Sequence, residues 1–526
     1  MRPEVLEKHL KRFDRVMLQA VRVATGQQFP TDGSLPYKRL RLPRRLGGGM
    51  IRSAWDVARA AYVGGICMCV PSFTRSLDAE GTVSVGILDH MSDQYSRGSF
   101  DVGSENSRFD TLLEGDSMLG KELRTHFLSM RREVLGDVSD DEVPVDSPFK
   151  LGPGGAGVIQ GVVVRRPQHT YTKVRENKRA QDILTALKLK LNRRGVMPGR
   201  DEAAFLSINR LSVQFVGLPK MRRTVMDNTT FQECWSISMG SASPICAQWI
   251  GTRFVDAFKR VHHVDQYGDS VASAMLGGGG WTTRHDAFKW MLAQQAEWAM
   301  YQLRVEPNNL FLPWIQQRTQ FLAHEKARKR QGFVPDFLDV KRQKLMDVKG
   351  CSFGGLYSPA RFFEAITSDT VRQRQEQVHT EAGRKARAAD TKYNGWDPHS
   401  VIPGPMAQRL HDFGRVEGLV VGAHGEASPD LLKLINRLAN RASQTRHRHM
   451  GFDSARCARS TVKQQIFLSL GVEAVRGMAK LRIANLGAAL VGSQSTKAAA
   501  ARRARAKHMY YEQLQAYWAR QCYYDI

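Results

Sequence analysis

Apolar residues recur at helical spacing through Leu6, Leu10, Phe13, Val16, Met17 and Val21, and the pattern predicts a helix at the start of the chain. An Ala-rich helix is expected from Ala54 to Tyr62, and Lys- and Leu-rich periodicity returns between residues 178 and 196. Ala287, Phe288, Trp290, Met291 and Leu292 mark an apolar helix, while Leu431, Leu432, Leu434, Ile435 and Leu438 give an amphipathic one. Between these two the period changes. Read as a strand, Leu345 to Val348 sends Met346 and Val348 into the core and projects Asp347 and Lys349 to one common face. A turn from Asp336 across Lys341 to Lys344 then makes a hairpin that returns Asp336 beside them. In residues 76–155 the pattern weakens: Ser, Asp, Glu and Gly rise, short helices such as Gly120 to Glu133 remain, and Gly152 to Gly157 reads as a hinge.

The organisation this predicts is mostly helical and multidomain. A helical region (1–75) is followed by an acidic, Gly-rich linker (76–175) and a helical connector (176–292). An α/β core (293–400) comes next, then a basic helical C-terminal region (401–526). A chain of 526 residues has room for two to four such domains. Its net charge of +26 calls for a polyanionic partner, most plausibly nucleic acid, since binding of that kind scales with the Lys and Arg contacts made. No run of about 20 apolar residues exists, so no membrane span is expected. Met1-Arg2-Pro3-Glu4 is not the start of a secretory signal, and seven scattered cysteines fit a reducing compartment. Cys67 and Cys69 read as small core residues.

The chemistry concentrates in Val334 to Gly350. Asp336 and Asp347 can hold a hard divalent cation, Mg²⁺ or Mn²⁺, and Lys349 can sit beside an attacked phosphate. The plain alternative is an exposed hairpin with a charged face. With its Pro335-Asp336 and Asp347-x-Lys349 spacing, the segment resembles the PD-(D/E)xK restriction-like nucleases, whose fold is a mixed sheet flanked by helices. The resemblance implies a further acidic ligand upstream. Glu306 and Glu297 are the candidates, and Glu306 is favoured.

A wider resemblance runs from residue 36 to 440. Leu40-Arg41-Leu42-Pro43-Arg44-Arg45-Leu46-Gly47-Gly48-Gly49-Met50-Ile51-Arg52-Ser53 resembles the segment that follows the reverse transcriptase palm in non-LTR retrotransposon proteins. Arg284-His285-Asp286, the 371–392 stretch, Gly404-Pro405 and Gly422-Ala423-His424-Gly425-Glu426-Ala427-Ser428 resemble later segments of that family in the same order. The resemblance implies that the first region is a thumb-like remnant and that the chain nicks DNA in the nucleus. Element RNA and a polymerase module of the same element would be partners. No Tyr/Phe-x-Asp-Asp site is present, so no DNA synthesis is expected. The family's zinc knuckle is incomplete: Cys234 and Cys246 do not form a Cys-x-x-Cys pair, and Ser270 and Ala274 stand where ligands would be, so no zinc is expected.

Several basic residues are candidates for phosphate contact: Arg284, His285, Lys326, Arg328, Lys329, Arg330, Arg372, Arg384, Lys385, Arg387 and Lys392. Arg284 and His285 could instead serve the nuclease site while Asp286 caps its helix, or the trio could be only an N-terminal cap. His424-Gly425-Glu426 reads as a structural turn in preference to a site appendage. Tyr510, Tyr511, Tyr517 and Trp518 read as packing residues of a 496–520 helix in preference to base-stacking ones. Two rivals to the nuclease remain: a non-catalytic nucleic-acid-binding remnant or domesticated product, and an RNA-packaging assembly protein favoured by charge alone.

Overall fold

The computed structural model describes residues 3–27, 34–62, 118–139, 142, 167–191, 199–215, 226–276, 280–307, 310–315, 334–351 and 368–491. The expectations for Lys326, Arg328, Lys329, Arg330, Cys67, Cys69, the Gly152–Gly157 hinge and the 496–520 helix lie outside these residues. Two compact units are present, the first formed by residues 1–21 and 38–188 and the second by 22–37 and 189–526. The described residues are mostly helical, with a small mixed sheet in the second unit.

The first unit contains most of α1 (Pro3–Thr25), the second half of α2 (Leu35–Leu40), α3 (54–62), α4 (Met118–Leu135) and most of α5 (Pro167–Leu191). Asp14 caps α3 by accepting from the Ala54 and Trp55 amides at 2.7 and 3.4 Å. The basic loop before α3 is neutralised within the unit: Arg45 and Arg52 pair with Glu176 at 3.3 and 2.6 Å, and Arg41 lies 3.7 Å from Asp14. Phe127 of α4 meets Tyr171 of α5 edge-on at 6.0 Å, so the stretch expected as a linker contributes core.

The second unit contains α6 (Arg200–Leu206), α7 (Asn228–Met239), β1 (Arg253–Val255), β2 (Val261–His263), α8 (Asp269–Ser273), α9 (Gly280–Trp298), β3 (Leu303–Val305), β4 (Phe337–Asp339), β5 (Lys344–Gly350), α10 (Ser368–Asn394), α11 (Pro405–Asp412), β6 (Glu417–Val421), α12 (Pro429–Arg446) and α13 (Ala455–Val491). The strands β3, β4, β5 and β6 lie in that order, with β3–β4 and β4–β5 antiparallel and β5–β6 parallel. The region expected as helical over 401–526 also contributes to this sheet. Its Glu417-Gly418-Leu419-Val420-Val421 run is the fourth strand of the sheet, and it completes the pairing of the strand that carries Asp347.

Both faces of the sheet are covered. Phe337, Met346, Val348 and Leu419 join a core with α9, α12 and α13, while Leu338, Leu345 and Val420 join a second core with α10 and α11. Leu345 is thus buried on the face opposite Met346, and β5 is buried without a break from Leu345 to Val348 because it is a central strand. Gly418 allows α10 to come close, since an added Cβ would stand 2.9 Å from the Gln375 backbone. Ser428 joins the sheet to α12: its hydroxyl donates to the Gly418 carbonyl at 2.8 Å and accepts from the Leu431 amide, with Pro429 next in the helix.

Candidate active site

The β4–β5 register places the two aspartates together. Phe337 pairs with Met346, so one step before the strand Asp336 stands opposite Asp347. One strand further across, the Glu306 amide donates to the Asp336 carbonyl at 2.9 Å, which puts Glu306, Asp336 and Asp347 in one row. The Asp336 side chain is fixed by the Val348 amide, which donates to its Oδ2 at 2.7 Å. Lys349 follows two residues after Asp347 on the same face, and its ammonium lies 2.5 Å from Asp347 Oδ2.

Helix α9 closes the row. His285 Nε2 lies 3.1 Å from Asp336 Oδ2, and its Nδ1 lies 3.0 Å from Asp286 Oδ1. One turn on, the buried Lys289 ammonium stands 2.5 Å from Glu306 Oε1, 3.2 Å from Asp286 Oδ1 and 3.7 Å from Asp336 Oδ1. Beside Lys349 a pocket opens, lined by Trp281, His285, Phe288 and Glu473 among others.

The two aspartates stand opposite each other, and their ionisation is driven apart. Burial and then the Asp336 charge push Asp347 up to about 6. Burial would raise Asp336 as well, but the hydrogen bond and charge of His285 outweigh it and hold this carboxyl well below the usual range. His285 in turn is pushed up to about 9: burial opposes its charge, but the bonds to Asp286 and Asp336 win. A polar row of this kind inside a packed unit is the arrangement expected of a functional site. Two carboxylates side by side are a donor set for an ion that takes one or two carboxylates and keeps its waters. Among the described residues no group of three or more His, Cys, Asp or Glu side chains is arranged to hold a metal ion.

The remaining candidates separate clearly. Arg284 was expected to contact phosphate. It turns inward instead, donating to the Cys351 and Gly422 carbonyls at 2.9 and 3.2 Å, and packs so closely on Gly350 that a Cβ there would lie 2.9 Å from its Nη1. The capping reading of Arg284-His285-Asp286 is also corrected, because α9 already begins at Gly280. Glu297 lies more than three helical turns beyond His285 and is not part of the row. Arg372, Arg384, Lys385, Arg387 and Lys392 are all exposed on α10, whose buried side carries Val371, Val378, Ala382, Ala386 and Ala389.

His424 and Glu426 are buried in a turn. The His424 amide donates to Glu426 Oε2 at 3.0 Å, His424 Nδ1 sits 3.1 Å from the Ile237 carbonyl, and Gly425 takes a φ of +82°. In the knuckle region Cys246 and Ala274 share an apolar cluster with Phe254, Val264, Val271 and Leu486.

Sequence reasoning missed Lys289. It sits in the apolar run Phe288 to Leu292, four residues after His285, and that i, i+4 spacing was the available signal. No family model, no curated protein and no solved structure matches this chain. Among the described residues no helix is long and apolar enough to cross a membrane.

Proposed function

We propose that this protein is a metal-dependent DNA endonuclease with a restriction-like core, the nicking module of a non-LTR retrotransposon protein. The observation that carries the proposal is the meeting of Asp336, Asp347 and Lys349 at one strand pair, with His285 and Lys289 brought to them by a separate helix. The mixed sheet with helices on both faces supports the same reading.

Asp336 and Asp347 would hold Mg²⁺ or Mn²⁺, which when bound activates water and offsets charge on a phosphoryl oxygen. The chain's own residues supply the rest. The Val348 amide and His285 fix Asp336 in its ionised form. Lys349 carries a positive charge to the mouth of the site, where it can orient the attacking water and stabilise charge developing on the phosphate. The exposed row from Arg372 to Lys392 gives a surface for tracking the DNA backbone, and a nuclear location follows from that substrate.

Nicking of supercoiled plasmid by the purified chain, in Mg²⁺ and in Mn²⁺, tests the proposal. Asp336→Ala and Asp347→Ala are each expected to lower the rate at least ~100-fold, about 3 kcal/mol of barrier. Asp347→Asn is expected to do the same while leaving salt-sensitive DNA binding in place. Tight, salt-sensitive binding with no nicking in either metal would replace the nuclease by a binding-only protein.

A further inference from the structure

Resting on the nuclease reading, we infer that Lys289 takes the place of a second divalent cation. The row then holds one metal ion, between Asp336 and Asp347, and Glu306 serves the ammonium in place of the metal. Two-metal phosphodiesterases set their ions about 3.5–4 Å apart and bridge them with shared carboxylates. Here the second position would fall between Asp336 and Glu306, and the Lys289 ammonium already stands there, 3.7 Å from one carboxylate and 2.5 Å from the other.

The arrangement is a deeply buried one. Lys289 is 2% exposed, and a lysine is seldom found so deep unless carboxylates surround it. Three do so: Asp286, Glu306 and Asp336. Glu306 reaches its place with a φ of +41°, a left-handed conformation that is costly for a residue with a Cβ and more so just before Pro307. Strain of this sort is retained where the surrounding structure fixes the residue. The ammonium is a compact point charge on a long stem, so it can neutralise the Glu306 end of the row without coordinating anything. Lys289 is therefore a positioning residue: it sets how many ions the carboxylates accept.

Counting Mn²⁺ bound to the full chain without DNA, by electron paramagnetic resonance of the free ion during titration, tests this. The wild type is expected to bind one ion that Asp347→Asn removes. Lys289→Gln is expected to bind two, and Lys289→Gln/Glu306→Gln to return to one. Two Asp347-dependent ions in the wild type would overturn the inference, as would a folded Lys289→Gln variant that still binds one. If Lys289→Gln does not fold, Lys289→Met, which keeps the apolar stem and removes the charge, is titrated in its place, and a count of one ion there overturns the inference. A wild type with no ion that Asp347→Asn removes would instead overturn the nuclease reading, because the inference concerns the number of ions at that site.

Discussion

Two polar regions lie in the second unit, and they resolve their charges in opposite ways. Near Cys246, Arg482 is buried against Glu233 at 2.8 Å and also donates to the Ser236 hydroxyl at 3.0 Å. Glu233 is satisfied further by Ser243 and by the Ile245 amide. The cluster beside it is apolar, and Cys246 has its thiol pushed up by burial. In the candidate active site, by contrast, two carboxyls stand opposite each other on one strand pair, and burial and the Asp336 charge hold Asp347 raised. The first region places each charge where a partner already waits. The second sets Asp336 beside Asp347 as well as bringing His285, Lys289 and Lys349 to the row. Even with these cations beside it Asp347 stays raised, and perturbed groups of that kind cluster at functional sites.

The largest effect that can break this contrast belongs to the first region. Arg482→Met leaves the Glu233 carboxylate buried without its cation and should destabilise the chain by about 3–5 kcal/mol in urea unfolding. A change near zero would show that the knuckle region is as poorly compensated as the site.

Asp347→Asn should act in the opposite direction. A carboxyl whose folded value lies raised, at about 6, contributes stability while protonated, and that contribution is lost as pH rises through 6. Wild type therefore bears the repulsion at pH 8, whereas the amide does not. We expect Asp347→Asn to be more stable by about 1–2 kcal/mol at pH 8, with the gap closing below pH 4. A variant less stable at pH 8 would mean that the Lys349 pair outweighs the contact with Asp336.

The smallest effect sharpens the boundary of the apolar cluster. Ala274→Ser introduces a hydroxyl among Cys246, Val264 and Val271, and should cost about 1 kcal/mol in thermal unfolding. A stabilising serine would indicate polar space beside Ala274.

Much of the site was legible because its residues are local in sequence. Pro335-Asp336 and Asp347-x-Lys349 sit on the two arms of one hairpin, and strand alternation alone brings Lys349 to Asp347. Glu306 was reached only through resemblance, since its alignment depends on β3 pairing with β4 across an intervening segment. Lys289 could not be recognised from periodicity, because it occupies a core position in an apolar helix and its partners come from three different segments. Arg284 misled for the mirror reason. A motif residue flanked by polar neighbours looks exposed, yet its guanidinium is committed to two buried carbonyls. The strand β6 escaped notice because a short apolar run buried on both sides has no alternation to read.

The parallel pairing of β5 with β6 also bears on how this unit can be assembled. The strand carrying Asp347 and Lys349 has β4 on one side from the outset, but its other side stays open until Glu417 to Val421 has been made and α10 has crossed over. Until then a chain on the ribosome presents an apolar strand with free amides and carbonyls, the feature most prone to pairing with a second chain. A product ending near residue 400 would hold every carboxylate of the site and yet keep that edge uncovered. The capacity for chemistry would then depend on a strand that carries none of it.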